Sequence, residues 1–206
     1  MSTLVGGTGI IGQDMFCSLK NSKKLKIVSF TADKTSPQVI GTQVTLTVKA
    51  TGTGTLQYKF LIRDSNGNLA ILRDYTTSNT YTWETGQTGE KTLYVDVKDS
   101  NGKVTRETMS YTVVDKLAIS SFTADKSSPQ AVGTEVTLTT KISGGVGTIQ
   151  YKYYMYLNNV YSQIKDWSTS ASIKISPSTA GTYNIYVGVK DDSENIVRKN
   201  IDFEFK

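Results

Sequence analysis

Tyrosine is the residue type in this chain most able to form a binding surface, and it occurs 12 times. Tyr154 and Tyr156 lie two positions apart in one run, and Tyr186 lies in a later run. Because residues two apart project from the same face of a β-strand, all three have the parity that faces solvent. Exposed aromatic faces stack on sugar rings or anchor protein contacts. These three residues are therefore predicted to form one ligand face.

Residue types that support catalysis are scarce. The chain has no histidine and a single cysteine, Cys17, which excludes the Ser-His-Asp and Cys-His nucleophile systems, the usual zinc sites and an intradomain disulfide. Residues 64–68 have the oxygen spacing of a calcium loop, but Leu69 and Tyr75 stand where such a loop needs glycine and glutamate. We therefore expect no enzyme activity, no cofactor and no metal site, and a plain hairpin turn in these residues.

A glycine-rich stretch near the start resembles a nucleotide-binding turn. Residues 6–12 carry the glycines, and Asp33 follows about 20 residues on, as in a dinucleotide-binding unit. That mechanism needs alternating strands and helices, whereas Asp33 belongs to a repeated segment and is duplicated by Asp125. The nucleotide interpretation is therefore rejected.

The net charge of +5 is spread almost evenly along the chain. Residues 1–24 carry +2, residues 25–115 carry +1 and residues 116–206 carry +2. A nucleic-acid-binding protein concentrates its positive charge, so none is expected here, and a polyanionic partner such as an acidic wall polymer is weakly favoured. No apolar run approaches the roughly 20 residues of a membrane span, and residues 1–12 lack the pattern of a secretory signal.

An internal repeat organises the rest of the sequence. Residues 29–34 (Ser-Phe-Thr-Ala-Asp-Lys) recur 92 residues further on, at 121–126. The later matches keep nearly the same offset: Tyr58-Lys59 with Tyr151-Lys152, Asp74-Tyr75 with Asp166-Trp167, and Tyr94-Val95 with Tyr186-Val187. We therefore divide the chain into an arm (1–24), a first copy (25–115) and a second copy (116–206).

Within each copy the apolar residues alternate with polar ones. Val44, Leu46 and Val48 show this period of two, which indicates half-buried strands bounded by Gly, Asn and Asp turns. About seven short strands in each ~90 residues predict an all-β fold of two tandem immunoglobulin-like Greek-key β-sandwiches. Tyr183 has the parity of a core-facing residue and lies where an immunoglobulin-like domain has its tyrosine corner, a tyrosine whose hydroxyl bonds to the backbone. The first copy has Lys91 at this position and should lack a tyrosine corner.

The strand parity also suggests how the two copies differ. Tyr58, Tyr151 and Tyr153 are predicted to face the cores. On its ligand face the first copy offers Leu61, Arg63 and Tyr94. Binding should therefore differ between the copies. A second interpretation stays open, in which the outward tyrosines are cross-strand pairs that only stabilise the sheet, by about 0.2–1 kcal/mol each.

Both copies resemble the triple-tyrosine-type immunoglobulin-like repeat domains of clostridial cell-wall amidases and surface proteins. The resemblance covers about residues 25–206 and rests on three repeated motifs. These are the opening hexapeptide, the segment Gln57-Tyr58-Lys59-Phe60 with its counterpart Gln150-Tyr151-Lys152-Tyr153, and the tyrosine-valine strand that ends in Lys98-Asp99 or Lys190-Asp191. It implies non-catalytic accessory modules in extracellular, wall-associated chains. It supplies no binding residues to carry over.

Residues 1–24 contain apolar side chains without a core of their own. These are Leu4, Val5, Ile10, Ile11, Met15 and Phe16, together with Cys17. Contiguous apolar surface tends to find a partner, so we predict an assembly arm that docks on a neighbouring chain and makes a homo-oligomer.

Two functions follow as expectations. The first is an extracellular or cell-surface binding and spacer module that contacts cell-wall polysaccharide or another surface protein. The second is a structural subunit of a surface filament, spore appendage or virion that assembles through residues 1–24.

Overall fold

The computed structural model describes residues 23–206, in which every regular element is a β-strand. The first copy contains eight strands: β1 (Lys26–Ala32), β2 (Gln38–Val39), β3 (Gln43–Thr51), β4 (Gln57–Arg63), β5 (Leu69–Thr76), β6 (Thr80–Glu84), β7 (Gly89–Lys98) and β8 (Val104–Val114). The second copy contains seven: β9 (Ala118–Ala124), β10 (Val136–Ser143), β11 (Gln150–Leu157), β12 (Val160–Ser168), β13 (Ser172–Ile175), β14 (Gly181–Lys190) and β15 (Ile196–Phe205).

Each copy folds into two sheets. The smaller sheets have the orders β1-β3-β6 and β9-β10-β13, and the larger sheets have the orders β2-β8-β7-β4-β5 and β12-β11-β14-β15. No strand of one copy pairs with a strand of the other among the described residues. Strands distant in sequence are neighbours in every sheet, which is the Greek-key arrangement of the predicted sandwiches.

The alternating apolar residues fill the space between the two sheets of each copy. Val44, Leu46 and Val48 from the smaller sheet meet Phe60 and the inward residues of β7 from the larger one. The second copy repeats this core, with Tyr153 fully buried in it. Tyr58 and Tyr151 are also buried, so the predicted core parity of all three tyrosines is confirmed.

A tyrosine corner stabilises the second sandwich, as predicted. The hydroxyl of Tyr183 donates to the carbonyl oxygen of Thr179 at 2.9 Å. The first copy has no tyrosine there, but its Lys91 is buried and donates from its ammonium group to the carbonyl of Thr88 at 3.2 Å. The first copy therefore lacks a tyrosine corner, as expected. Its Lys91 nevertheless makes a side-chain hydrogen bond to a nearby backbone carbonyl, as Tyr183 does in the second copy.

Residues 23–206 contain no helix that could cross a membrane.

Candidate functional site

The pairing of β11 with β14 brings the predicted ligand-face tyrosines together. Tyr154 lies opposite Tyr186 in the antiparallel register. Their rings are stacked, with centroids 5.1 Å apart and planes 2° apart. Tyr156 stands nearly perpendicular to both, at 6.1 Å from Tyr154 and 5.8 Å from Tyr186. All three rings are half-buried on the outer face of the larger sheet.

A fourth tyrosine, which the sequence analysis missed, joins this cluster. Tyr161 on β12 lies opposite Tyr156, with ring centroids 5.6 Å apart, and it is 49% exposed. The hairpin from β11 to β12 turns through Asn158 and Asn159, both with positive φ. Asparagine pairs favour such two-residue turns, so this dipeptide was the signal that could have placed Tyr161 in the cluster.

Trp167 forms the other wall of the site. A Cβ atom added to Gly188 would lie 3.5 Å from Cη2 of Trp167, so the indole passes closely over this glycine. The ammonium group of Lys190 lies 5.2 Å from the indole centroid, within cation–π range. Nearby, Lys152 pairs with Asp166 at 3.1 Å. The repeat match of Asp74-Tyr75 with Asp166-Trp167 was the sequence signal for this wall.

Together these side chains enclose a groove of about 390 Å³, which we call the aromatic groove. That volume is within the roughly 300–1,000 Å³ typical of small-ligand sites. Its lining consists of Lys152, Tyr154, Tyr156, Tyr161, Trp167, Gly188 and Arg198.

Tyr154 in the groove and Asp166 beside it have shifted pKa values. Burial raises the pKa of the Tyr154 phenol, although the nearby charge of Arg198 acts in the opposite direction. The backbone N–H of Trp167 and then Lys152 lower the pKa of Asp166. At neutral pH Tyr154 is therefore a neutral phenol that can donate or accept a hydrogen bond, and Asp166 beside the groove is an ionised carboxylate.

The comparison with solved structures identifies the fold. The chain aligns with a DIP-gamma fragment containing domains IG1 and IG2 at a TM-score of 0.54 and 13% identity, covering 89% of this chain and 98% of that one. The fold is immunoglobulin-like. The Sidekick-1 immunoglobulin domains 1–5 (TM-score 0.46, 15% identity, 85% of this chain and 36% of that one) and a two-domain fibronectin type III segment of chicken tenascin (0.36, 11%, 87% and 98%) are more distant.

Neither a family model nor a curated protein matches this sequence.

The first immunoglobulin-like domain brings its predicted ligand residues together in another way. The guanidinium groups of Arg63 and Arg106 lie 5.8 Å and 5.3 Å from the ring centroid of Tyr94. Leu61, the third residue predicted for this face, lies opposite Tyr94 but is only 4% exposed, so it is covered and not available to a ligand. The outer face of this domain is therefore a cation–π stack, and it lacks the tyrosine cluster of the second domain.

The calcium-like run forms a hairpin turn. Oδ1 of Asp64 accepts the backbone N–H groups of Asn66 and Asn68, both at 2.9 Å, and Gly67 has a φ of 87°. These bonds use the carboxylate within the turn itself. Among residues 23–206, no group of three or more His, Cys, Asp or Glu side chains is arranged to hold a metal ion.

The predicted assembly arm lies outside the described residues, apart from its last two positions. This applies to Leu4, Val5, Ile10, Ile11, Met15, Phe16 and Cys17. Lys23 and Lys24 already contact the first domain, since their carbonyl groups accept hydrogen bonds from the hydroxyls of Thr53 and Thr51.

Proposed function

We propose that this chain is a non-catalytic tandem immunoglobulin-like binding module of an extracellular, wall-associated protein, and that its aromatic groove contacts cell-wall polysaccharide. The single observation that carries the proposal is the groove of the second domain lined by Tyr154, Tyr156, Tyr161 and Trp167, with Tyr186 stacked behind Tyr154 and outside the lining. The resemblance of both repeats to triple-tyrosine-type wall modules supports the location.

The lining of the aromatic groove has both kinds of group that bind a sugar ring, aromatic faces and hydrogen-bonding groups. One face of a pyranose ring presents C–H groups, which pack against aromatic rings, while its rim presents hydroxyls that need hydrogen-bonding partners. Tyr154, Tyr156 and Tyr161 supply both ring faces and phenolic hydroxyls, and Trp167 supplies the largest apolar surface. Apolar walls with a few polar groups are the usual composition of a ligand site.

Sheet stabilisation accounts for only part of the cluster. Tyr154 and Tyr186 lie directly opposite each other, so a cross-strand contact explains their stacking. The same role explains the contact of Tyr161 with Tyr156, which lie opposite each other, but it leaves Tyr161 49% exposed and does not require the open space between Trp167 and the tyrosines. A bound ligand would cover these surfaces.

The test is the triple variant Tyr154→Ser, Tyr156→Ser, Tyr186→Ser in the full chain. We expect it to lose co-sedimentation with isolated bacterial wall polysaccharide, because the stacking surface is removed, while the melting temperature stays within a few degrees of the wild type. A matched control replaces three exposed apolar residues of the first domain, Leu69, Ile71 and Val104, by serine. The control should bind like the wild type.

The opposite result would establish the purely structural role. If the tyrosine variant loses much of its thermal stability but co-sediments as well as the wild type, the cluster stabilises the sheet and does not bind carbohydrate.

A further inference from the structure

One cross-strand pair on the outer face of the larger sheet has a different charge in the two domains. In the first domain, Asp96 of β7 lies opposite Arg106 of β8. The pair 92 residues further on consists of Gly188 of β14 and Arg198 of β15. The guanidinium group is therefore present in both domains, whereas the carboxylate is present only in the first.

In the first domain the carboxylate of Asp96 binds the guanidinium group of Arg106 through two hydrogen bonds. Nε of Arg106 donates to Oδ1 of Asp96 at 2.5 Å, and Nη2 donates to Oδ2 at 2.7 Å. Asp96 is only 7% exposed, and its hydrogen bonds raise the pKa of Arg106. Parallel two-point pairing of this kind is the strongest arrangement that arginine makes with an oxyanion.

In the second domain the corresponding position has no carboxylate. Gly188 has no side chain and is buried, because the indole of Trp167 passes closely over it, and it forms part of the lining of the aromatic groove. Of the two cations that line the aromatic groove, Lys152 pairs with Asp166 at 3.1 Å, whereas Arg198 is exposed and forms no ion pair within residues 23–206. Its guanidinium group lies near the Tyr154 phenol and has no carboxylate partner among the described residues, so it can bind an anion from outside.

We propose that the aromatic groove binds an acidic polysaccharide, and that a carboxylate of one of its sugars binds Arg198 in the way that Asp96 binds Arg106. The proposal rests on the proposed function, because it assumes that the groove holds a sugar chain. The sugar ring stacks between Trp167 and the tyrosines, and its carboxylate reaches the guanidinium group of Arg198 in the lining of the groove. The net charge of +5 favours the same class of partner.

The first experiment measures binding of polygalacturonate to the full chain by tryptophan fluorescence. The chain has two tryptophans, and Trp83 is buried in the first core at 5% exposure, so a ligand-dependent change reports on Trp167. We expect Arg198→Gln to weaken binding about tenfold or more, as for loss of a charge-assisted hydrogen bond. Lys199→Gln removes the same charge one residue further on and should bind like the wild type.

The second experiment introduces into the second domain the carboxylate that the first domain has at this position. Gly188→Asp places a carboxylate opposite Arg198, as in the first domain, and should block polygalacturonate by occupying the guanidinium group. Gly188→Asn adds nearly the same volume without the charge and should retain much tighter binding than Gly188→Asp. Equal binding by these two variants would contradict the proposal, as would equal losses in Arg198→Gln and Lys199→Gln.

A third arm separates this proposal from the proposed function. Methyl-esterified polygalacturonate keeps the sugar rings but has no carboxylates, so it should bind as weakly to the wild type as polygalacturonate binds to Arg198→Gln. If the ester binds as tightly as the acid, the acidic partner is wrong and carbohydrate binding stands. If neither polymer binds and the wall polysaccharide also fails to co-sediment, both proposals are wrong.

Discussion

At the scale of single residues, Asp191 shows how a buried carboxylate organises a turn. It is 2% exposed, and Oδ1 accepts the backbone N–H groups of Ser193 and Asn195, both at 3.0 Å. Oδ2 accepts the N–H of Val146 at 3.2 Å, which ties this turn to the loop between β10 and β11. Burial acts to raise the pKa of Asp191, but the hydrogen bonds from Asn195, Val146 and Ser193 outweigh it, so the pKa lies below its ordinary value.

This shift predicts an acid-dependent loss of stability. Because the folded-state pKa of Asp191 is depressed, its contribution is complete above the unfolded pKa of about 3.9 and is lost as the pH falls through the folded value. Asp191→Asn should cost about 2 kcal/mol at neutral pH, and its deficit relative to the wild type should shrink below about pH 4. Urea unfolding of both proteins between pH 3 and pH 7 measures the difference.

Asp115 provides the control for this prediction. Its carboxylate is exposed and accepts no hydrogen bond within residues 23–206, so Asp115→Asn removes the same charge without breaking a turn and should be about as stable as the wild type. A deficit of Asp191→Asn that is constant from pH 7 to pH 3 would show that the carboxylate charge is not what stabilises the turn.

At the scale of elements, the loop between β10 and β11 packs against the segment that leads into β9. Gly144 has a φ of 66°, and a Cβ atom there would lie 2.3 Å from the carbonyl oxygen of Lys116 and 2.5 Å from that of Asp115. The next residue, Gly145, donates its N–H to the carbonyl of Asp115 at 2.9 Å. Only glycine fits this approach, because the obstructing atoms belong to the backbone and cannot rotate away.

A pair of glycine substitutions separates backbone strain from this close approach. Gly133→Ala, at a φ of 78° with open space around it, should cost about 1–2 kcal/mol from conformation alone. Gly144→Ala should cost about 1–3 kcal/mol more, because it adds the collision with the backbone. Denaturant unfolding of the full chain measures both. Equal losses would mean that the loop does not need to approach residues 115 and 116.

At the scale of the whole molecule, the chain forms two separate units whose boundary lies between β8 and β9: neither strand pairing nor a core cluster crosses it within residues 23–206. One core cluster extends from Leu25 to Val113 and the other from Leu117 to Phe205. Each sandwich therefore has the elements and the buried apolar residues of a domain that folds by itself.

We therefore predict that residues 116–206 expressed alone unfold cooperatively. Their circular dichroism should show β-sheet and no appreciable helix, and the thermal transition should be a single sigmoid. Substantial helix, or a gradual melt without a transition, would contradict an independent second domain.

Assembly through residues 1–24 also stays a prediction at this scale. The apolar residues of that segment, such as Ile10 and Ile11, favour docking on a neighbouring chain. Deletion of residues 1–22 should leave both sandwiches folded, since the contacts of Lys23 and Lys24 are kept, and should convert any oligomer to monomer in sedimentation velocity. Full-length protein that is monomeric throughout the micromolar range would contradict the prediction.

The sequence by itself determined the repeat, the strand periodicity and the inward or outward parity of the tyrosines. These properties are local, because alternation along a strand assigns a residue to a face without reference to the other strands. That Tyr154, Tyr156 and Tyr186 share one face also followed, since the third and sixth strands of an immunoglobulin-like sheet are neighbours, whereas the register that sets Tyr154 opposite Tyr186 did not.

Only the tertiary structure decided which other side chains complete the groove. The register of β12 brought in Tyr161, and the position of Trp167 over Gly188 depends on irregular pairing between β11 and β12. The exposed charge of Arg198 depends on its opposite residue in β14, and a one-residue change of register would give it another partner. Pairing between strands distant in sequence is set by packing of the whole sandwich, so local pattern could not supply it.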